Sequence, residues 1–266
     1  MKRKTLLLPL LLLAALPGKA QMYTGLSGLL HTPSADMLPE GTARIGGYYM
    51  NSHLTPDARN RFAYNKEKYN TADFYLSIAP FRWVEIGYTF TLLKTLAPGH
   101  DRAQYNNKDR YFSLKLQPLR EGKYWPAVVI GSNDFVGSPA KGKMVNNKSN
   151  HFMNYYVAAT KHFDMHGHDL SLNVAYRYWP DSANSRKWQG VVGGVTWRPS
   201  FAPDLRVIAE YTGHELNFGA DYLLLRHLLL QAQLQSGRYP SAGLCFQTNL
   251  LGRTPGKKKE KYSSTF

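Results

Sequence analysis

Val84-Glu85-Ile86-Gly87-Tyr88-Thr89-Phe90-Thr91 alternates apolar side chains with polar or small ones at every step. Successive side chains of a β-strand point to opposite faces, so the four apolar residues of this stretch share one face. A soluble β-sandwich would turn that face towards a protein core, whereas a membrane barrel would turn it outwards to lipid around a polar interior. The stretch therefore predicts a strand and leaves these two fold classes open.

The same alternation recurs from Thr42 to Leu250, with turn-forming residues between one stretch and the next. Most of the stretches are close to the length of about nine to eleven residues that a tilted membrane strand requires. The predicted strands are Thr42–Asn51, Thr71–Ala79, Val84–Leu93, Asp109–Gln117, Ala127–Asn133, Phe152–Lys161, Asp169–Tyr178, Gly190–Arg198, Leu205–Thr212, Leu216–Leu223, Leu228–Gln235 and Ser241–Leu250.

The links between the predicted strands are sorted by length. Short links follow even-numbered strands, at 80–83, 199–204 and 224–227, and the long links 52–70, 94–108, 134–151 and 179–189 follow odd-numbered ones. The last two odd-numbered links, near Gly213 and Gly237, are short, so the outer rim is expected to be low on that side. If the N-terminus lies in the periplasm, every long link falls on the outer side, as in bacterial outer-membrane barrels. A soluble sandwich has no reason to sort its links in this way. The sequence thus predicts an all-β chain that forms a single antiparallel transmembrane β-barrel of about twelve strands.

The N-terminus predicts export. Lys2, Arg3 and Lys4 precede a short apolar stretch, and Gly18-Lys19-Ala20 provides the small residues of a signal-peptidase site, so cleavage is expected after Ala20. The apolar stretch is too short to span about 30 Å of hydrocarbon as a helix, which disfavours a retained anchor. The expected organisation is a signal peptide at 1–20, a periplasmic or plug segment at 21–41, the barrel at 42–252 and a basic tail at 253–266. The expected location is the outer membrane of a Gram-negative bacterium.

The overall charge indicates anionic partners. The chain has a formal net charge of +15, which suits lipopolysaccharide phosphates or an acidic glycan, and export argues against nucleic acid. Outer-membrane lipid and lipopolysaccharide, an anionic polysaccharide and periplasmic export proteins are therefore the expected partners. Cys245 is the single cysteine, so no internal disulfide can form.

The alternation also places charged residues inside the predicted barrel, four of each sign. A balanced set of charges is tolerable in a narrow interior when the charges are paired. We therefore favour a structural charge network in a largely filled interior over a conducting or catalytic set. The candidate lumen network consists of Arg44, Asp73, Glu85, Lys115, Arg177, Arg206, Glu210 and Asp221.

Motifs for chemistry are weak. The His-x-Ser arrangement of barrel deacylases does not occur, and no nucleophile elbow or phosphate-binding glycine loop is present. His162, His166 and His168 cluster at a predicted turn, but histidines beside acidic residues and glycine are common in turns and give only a minor metal candidate. The sequence nominates no catalytic, cofactor-binding or metal-binding residue, and predicts a protein that is not an enzyme.

With the strands in place, several strings resemble a known family. Gly28-Leu29-Leu30-His31-Thr32-Pro33-Ser34-Ala35-Asp36-Met37-Leu38-Pro39-Glu40-Gly41 resembles the opening motif of the YjbH/GfcD-type exopolysaccharide proteins. Ala79–Tyr88 is similar to their second signature, and Tyr124–Ala127, Gly131–Phe135 and Asn217–Tyr222 also fit. The resemblance spans nearly the whole mature chain in one order. The chain departs from some relatives because it lacks a lipobox cysteine and is much shorter than the large members.

The resemblance implies an outer-membrane barrel encoded with genes for extracellular polysaccharide or capsule production, and it supplies no catalytic residues. Our leading hypothesis is therefore a non-enzymatic barrel for exopolysaccharide production or export. In this hypothesis the segment Tyr23–Gly41 occupies or gates the periplasmic mouth. A general outer-membrane pore for small solutes is the second hypothesis, and an outer-membrane lipid hydrolase is the third.

Overall fold

The fold is a closed antiparallel barrel of twelve strands, as the sequence predicted. The computed structural model describes residues 21–55, 67–96, 98–137, 152–180 and 186–252. The expected signal peptide, the basic tail and parts of four outer links lie outside these residues. The strands are β1 Thr42–Met50, β2 Thr71–Phe81, β3 Val84–Thr95, β4 Gln104–Leu119, β5 Ala127–Gly137, β6 Asn154–Met165, β7 His168–Tyr178, β8 Gly190–Arg198, β9 Leu205–Tyr211, β10 Leu216–Leu224, β11 Leu228–Gln235 and β12 Tyr239–Asn249.

Each strand pairs with its neighbour in the chain, and β1 pairs with β12 to close the barrel. Both ends of the barrel domain therefore lie at one end, where Gly41 accepts a hydrogen bond from the Leu250 N–H at 2.8 Å. The short turns after the even-numbered strands are at the same end, which corresponds to the periplasmic side of outer-membrane barrels. Among the described residues, no helix is both long and apolar enough to cross a bilayer.

The orientation of the apolar face is the point that the alternation alone left open. On β2, Asp73 and Ser77 are buried in the lumen, whereas Phe74 and Leu76 expose 48% and 54% of their surface on the outside. The same division holds around the barrel, where every strand exposes at least one large Leu, Val, Ile or aromatic side chain. An outer wall of this composition matches lipid, and the polar face lines the interior.

Several strands are longer than predicted. β4 begins at Gln104 rather than Asp109, and β6 continues to Met165, beyond the predicted end at Lys161. The β4 extension lies at the outer end of its hairpin, where the exposed Gln104 and Lys108 depart from the apolar alternation, whereas Phe163 and Met165 continue it in the β6 extension. The β3–β4 ladder also contains an irregularity between Leu93 and Lys94, which interrupts the period-two pattern at that point.

Substitution of a lipid-facing residue tests the orientation of the wall. Val174 lies in the middle of β7 and is half-exposed on the outer face. We expect Val174→Arg to lower the free energy of unfolding by about 2–4 kcal/mol, which is the cost of a charged side chain on the lipid face near the bilayer midplane. Urea unfolding in phospholipid vesicles measures this change. The control is Leu251→Arg, because Leu251 is equally exposed but lies after β12 at the periplasmic end. Equal losses in both variants would contradict the orientation.

Candidate functional site in the plugged lumen

The lumen contains the residues that precede the first strand, here called the plug (residues 21–41). Every residue from Gln21 to Leu38 is buried. The plug has little regular structure: two isolated bridges, Gln21–Ser27 and Gly28–Pro33, close two tight loops. Gly25 sits at the first loop with a φ of +86°, a conformation that suits glycine. An irregular segment leaves most of its N–H and C=O groups without regular partners, so these groups must be bonded by the barrel wall.

Glu85 and Lys115 bind one part of the plug from adjacent strands. The two residues face each other across β3 and β4. The Glu85 carboxylate accepts hydrogen bonds from the Ser27 N–H at 2.9 Å and the Leu38 N–H at 2.6 Å. The Lys115 ammonium donates to the Ser27 carbonyl at 2.9 Å and also to the Asp36 carbonyl. A cross-strand pair of opposite charge thus binds plug donors with its anion and plug acceptors with its cation.

Glu210 binds the second loop of the plug. Its carboxylate accepts hydrogen bonds from three consecutive backbone N–H groups, those of Leu30, His31 and Thr32, at 2.9–3.1 Å. Asn217 on β10 also donates its side-chain amide to this carboxylate at 3.0 Å. Hydrogen bonds from neutral donors to an ionised carboxylate are stronger than bonds between neutral groups. Glu210 is therefore a main anchor of the plug.

Two arginines bind carbonyl groups of the same loop. Arg177 on β7 donates to the His31 carbonyl at 3.0 Å and also to the Thr212 carbonyl at 3.2 Å. Arg206 on β9 donates to the Gly28 carbonyl at 3.1 Å, and its guanidinium forms an ion pair with Asp221 at 3.0 Å. Both arginines are almost fully buried, and these contacts provide the partners that a buried charge requires.

Neutral lumen side chains complete the contacts to the plug backbone. They come from strands distributed around the barrel, so the plug is fixed to most of the wall rather than to one side. The Thr160 hydroxyl accepts a hydrogen bond from the Ala35 N–H. The other bonds are donated to plug carbonyls: by Ser77 to Gly25, by Thr89 to Thr24, by Gln117 to Ala35, by Asn173 to Pro33 and by Gln231 to Gln21.

Glycines on the wall make room for plug leucines. A Cβ added at Gly194 would lie 2.7 Å from Leu29, and one at Gly219 would lie 2.9 Å from Leu30. At Gly87, the nearest atoms to an added Cβ all belong to the plug, and the first is the Leu26 Cδ2 at 3.1 Å. The absence of a side chain at these wall positions therefore allows the plug to pack directly against the strands.

All eight residues of the candidate network are buried in the lumen, but their roles differ. Six of them contact the plug or pair with a residue that contacts it: Glu85, Lys115, Arg177, Arg206, Glu210 and Asp221. Arg44 donates to the Gln247 side-chain oxygen at 3.0 Å, and Asp73 lies opposite Tyr48 and Thr91 in the ladders of β2. The sequence did not indicate that the main partners would be plug backbone atoms.

At the periplasmic mouth, a chain of charged groups joins the plug to the wall. His162 on β6 contacts the plug residue Asp36 at 3.4 Å through Nε2 and the Glu121 carboxylate at 2.7 Å through Nδ1. Burial raises the pKa of Glu121, but hydrogen bonds from His162 and Lys161 outweigh it and hold the pKa below its ordinary value. His168 accepts a hydrogen bond from the Ser200 N–H instead of joining His162. The described residues contain no group of three or more potential metal ligands.

The outer half of the lumen is filled by aromatic residues. His31 of the plug stacks on Tyr23 with ring centroids 5.1 Å apart and contacts Trp188 from the outer link at 4.5 Å. Trp188 and Trp179 are both fully buried and pack against each other. These contacts cover the His31 part of the plug from the outer side.

We expect the buried ion pair beneath the plug to contribute to stability. Asp221→Asn leaves the Arg206 guanidinium in the lumen without its carboxylate partner, and breaking such a pair costs about 3–5 kcal/mol. The midpoint of urea unfolding in lipid should therefore shift to lower urea. Asp101→Asn is the control, because Asp101 is exposed in the link between β3 and β4. A variant that unfolds at the wild-type midpoint would show that the pair contributes nothing.

The lipid-facing wall and the enclosed N-terminal segment define a plugged outer-membrane β-barrel. The chain belongs to the YjbH family, whose model, described as "Exopolysaccharide biosynthesis protein YbjH", matches residues 20–265. The family suggested by the sequence motifs is thus confirmed. No curated protein matches the chain.

Solved outer-membrane barrels are also similar to this chain. An outer membrane phospholipase dimer with bound calcium from Salmonella typhi has 11% sequence identity and a TM-score of 0.35, over 78% of this chain and 89% of that one. A triple mutant of the Rhodopseudomonas blastica porin has 14% identity and a TM-score of 0.29, over 79% of this chain and 75% of that one.

Proposed function

We propose that this protein is a non-enzymatic outer-membrane barrel that acts in the production or export of an extracellular polysaccharide or capsule. Membership of the YjbH family over residues 20–265 is the observation that carries the proposal. In this role the plug closes the barrel at rest and moves when polysaccharide or a periplasmic partner engages the mouth. Outer-membrane lipid, lipopolysaccharide and an anionic polysaccharide are the partners that the basic chain suits.

The filled lumen supports this role over that of a general pore for small solutes. A diffusion pore has a water-filled interior, whereas here the carboxylates and cations of the wall bind the plug backbone. Solute passage therefore requires displacement of the plug. Such displacement is expected of a channel that opens on demand and not of one that is always open.

The cluster at the periplasmic mouth is not arranged for lipid hydrolysis. Ser34 donates its hydroxyl to the Asp36 carboxylate at 3.0 Å, while both ring nitrogens of His162 face carboxylates. A serine nucleophile requires a histidine nitrogen free to accept its proton. We therefore expect purified protein to release no fatty acid from phospholipid vesicles. Release that disappears in His162→Ala would contradict this part of the proposal.

Deletion of the gene in its own host tests the proposed function. We expect the deletion strain to lose extracellular polysaccharide in amount or in attachment to the cell, and the wild-type gene on a plasmid to restore it. Sugar assays of the cell-bound and released fractions measure both quantities. A deletion strain whose polysaccharide is normal in both fractions would overturn the proposal.

A further inference from the structure

An open cleft lies at the periplasmic mouth, between the β2–β3 turn and the link that joins β4 to β5. It has a volume of about 630 Å³, and Arg82, Trp83, Gln117, Arg120 and Trp125 are among its lining residues. This volume is within the range of about 300–1,000 Å³ that is typical of small-molecule sites.

The β4–β5 link holds one wall of the cleft in a fixed shape. The Trp125 indole donates to the Arg120 carbonyl at 3.0 Å, and the Gly122 N–H donates to the Trp125 carbonyl at 3.1 Å. The indole also packs on Gly122, where an added Cβ would lie 2.4 Å from it. Half of the Trp125 surface nevertheless remains exposed. Trp125 is therefore a preorganised aromatic surface and not a mobile side chain.

The charge on the cleft is positive. Arg82 and Arg120 are both exposed, so their guanidinium groups are accessible to a ligand. Glu121, the acidic residue of the lining, is engaged by the Lys161 ammonium at 2.9 Å and by the His162 ring at 2.7 Å. Guanidinium groups bind carboxylates and phosphates through paired hydrogen bonds, so the cleft suits an anionic ligand.

The floor of the cleft belongs to the mouth of the lumen. Gln117 follows Lys115 on the inward face of β4, and its amide donates to the Ala35 carbonyl of the plug at 2.8 Å. Glu121 shares His162 with the plug residue Asp36. Pro118 and Leu119 also line the cleft and are exposed at the periplasmic end of the wall, so the cleft adjoins both the plug and the edge of the lipid-facing surface. Its position favours a ligand that approaches from the periplasm.

We propose that this cleft binds a short stretch of an acidic polysaccharide at the entrance to the barrel. Sugar rings have apolar C–H faces, which pack on the exposed surfaces of Trp83 and Trp125. Carboxylates on neighbouring sugars are bound by Arg82 and Arg120. The inference rests on the proposed function, because it specifies the ligand class and the entry point for the same polysaccharide.

Binding of a galacturonic acid hexamer to the full chain in detergent micelles tests the site. Isothermal titration calorimetry compares this probe with maltohexaose, which is neutral, and with phosphatidylglycerol in mixed micelles. We expect the wild type to bind the acidic hexamer in preference to the other two. The double variant Arg82→Gln/Arg120→Gln should bind it at least about tenfold more weakly. Arg238→Gln is the matched control, because Arg238 is an exposed arginine in the β11–β12 turn at the opposite end.

Three results would overturn the inference: no binding of the hexamer to the wild type, equal binding to the double variant, or preference for phosphatidylglycerol. These results leave the proposed function standing if the deletion strain still loses its surface polysaccharide. Conversely, a normal deletion strain overturns the function even if the cleft binds the hexamer. The two experiments therefore fail independently.

Discussion

Replacing Glu210 with alanine should release the second loop of the plug while the twelve strands of the barrel remain paired. The variant leaves three buried N–H groups, those of Leu30, His31 and Thr32, without their acceptor. An unsatisfied buried donor costs about 1–3 kcal/mol, so the combined loss is several kcal/mol. We expect hydrogen exchange at these amides to become at least about 100-fold faster, since each 1.4 kcal/mol corresponds to a factor of ten. Mass spectrometry of peptides covering residues 28–34 measures the exchange.

Glu215 provides the matched control for this experiment. It is also a largely buried carboxylate, but it binds His53 and Ser236 at the outer rim rather than the plug. Glu215→Ala should therefore leave exchange in the plug unchanged. Glu210→Gln keeps an acceptor oxygen and should give an intermediate effect. If Glu210→Ala exchanges at the wild-type rate, Glu210 is not an anchor of the plug.

Removing the plug should convert a closed barrel into a conducting one. Deletion of residues 22–38 removes the segment that fills the lumen and leaves an interior lined by charged and polar side chains. We expect the wild type to be almost silent in planar lipid bilayers and the deletion variant to show stable conductance steps. The change is large because a barrel of twelve strands is wide enough to hold the plug, and hence to hold water in its place.

A point substitution distinguishes opening of the lumen from misfolding of the barrel. In Gly87→Phe the nearest contacts of the new Cβ are all with the plug residues Leu26 and Thr24, so we expect the ring to displace the plug rather than the strands. Ile86→Phe, on the lipid-facing side of the same strand, is the control and should remain closed. Heat-modifiable migration in gels verifies that each barrel is folded. If the deletion variant and Gly87→Phe are both folded and show no conductance, the plug is not what closes the barrel. A wild type that conducts as well as the deletion variant would support the general pore instead.

The barrel itself was predictable because its signal is local and repeated. Alternation in β3 fixes which side chains face the lumen, and each hairpin link follows its strand directly in sequence. The alternation places Glu85 and Lys115 on the lumen face, and both side chains are buried. The strand ends were less predictable, because β4 extends beyond the region where lipid imposes the alternation.

The contacts of the plug were not predictable in the same way. The composition of the Gly- and Pro-containing segment before β1 predicts a periplasmic or plug segment, but its path inside the barrel depends on pairs far apart in sequence. Glu210, for example, binds the N–H groups of residues that precede it by about 180 positions. Gly87 and Gly219 gave no separate signal either, because a glycine that accommodates a leucine looks in sequence like any other strand glycine.

The charged wall residues bind main-chain atoms, and this has a consequence for how the plug can vary. The wall contacts backbone groups of the plug through Glu85, Glu210, Lys115 and Arg177. Every residue type has a backbone C=O group, and every type except proline has a backbone N–H group. Exchange of a side chain at a residue such as Thr32 therefore leaves these contacts in place. Insertion or loss of one residue shifts every later peptide group out of register. The barrel thus selects the length and path of the segment more strictly than its composition.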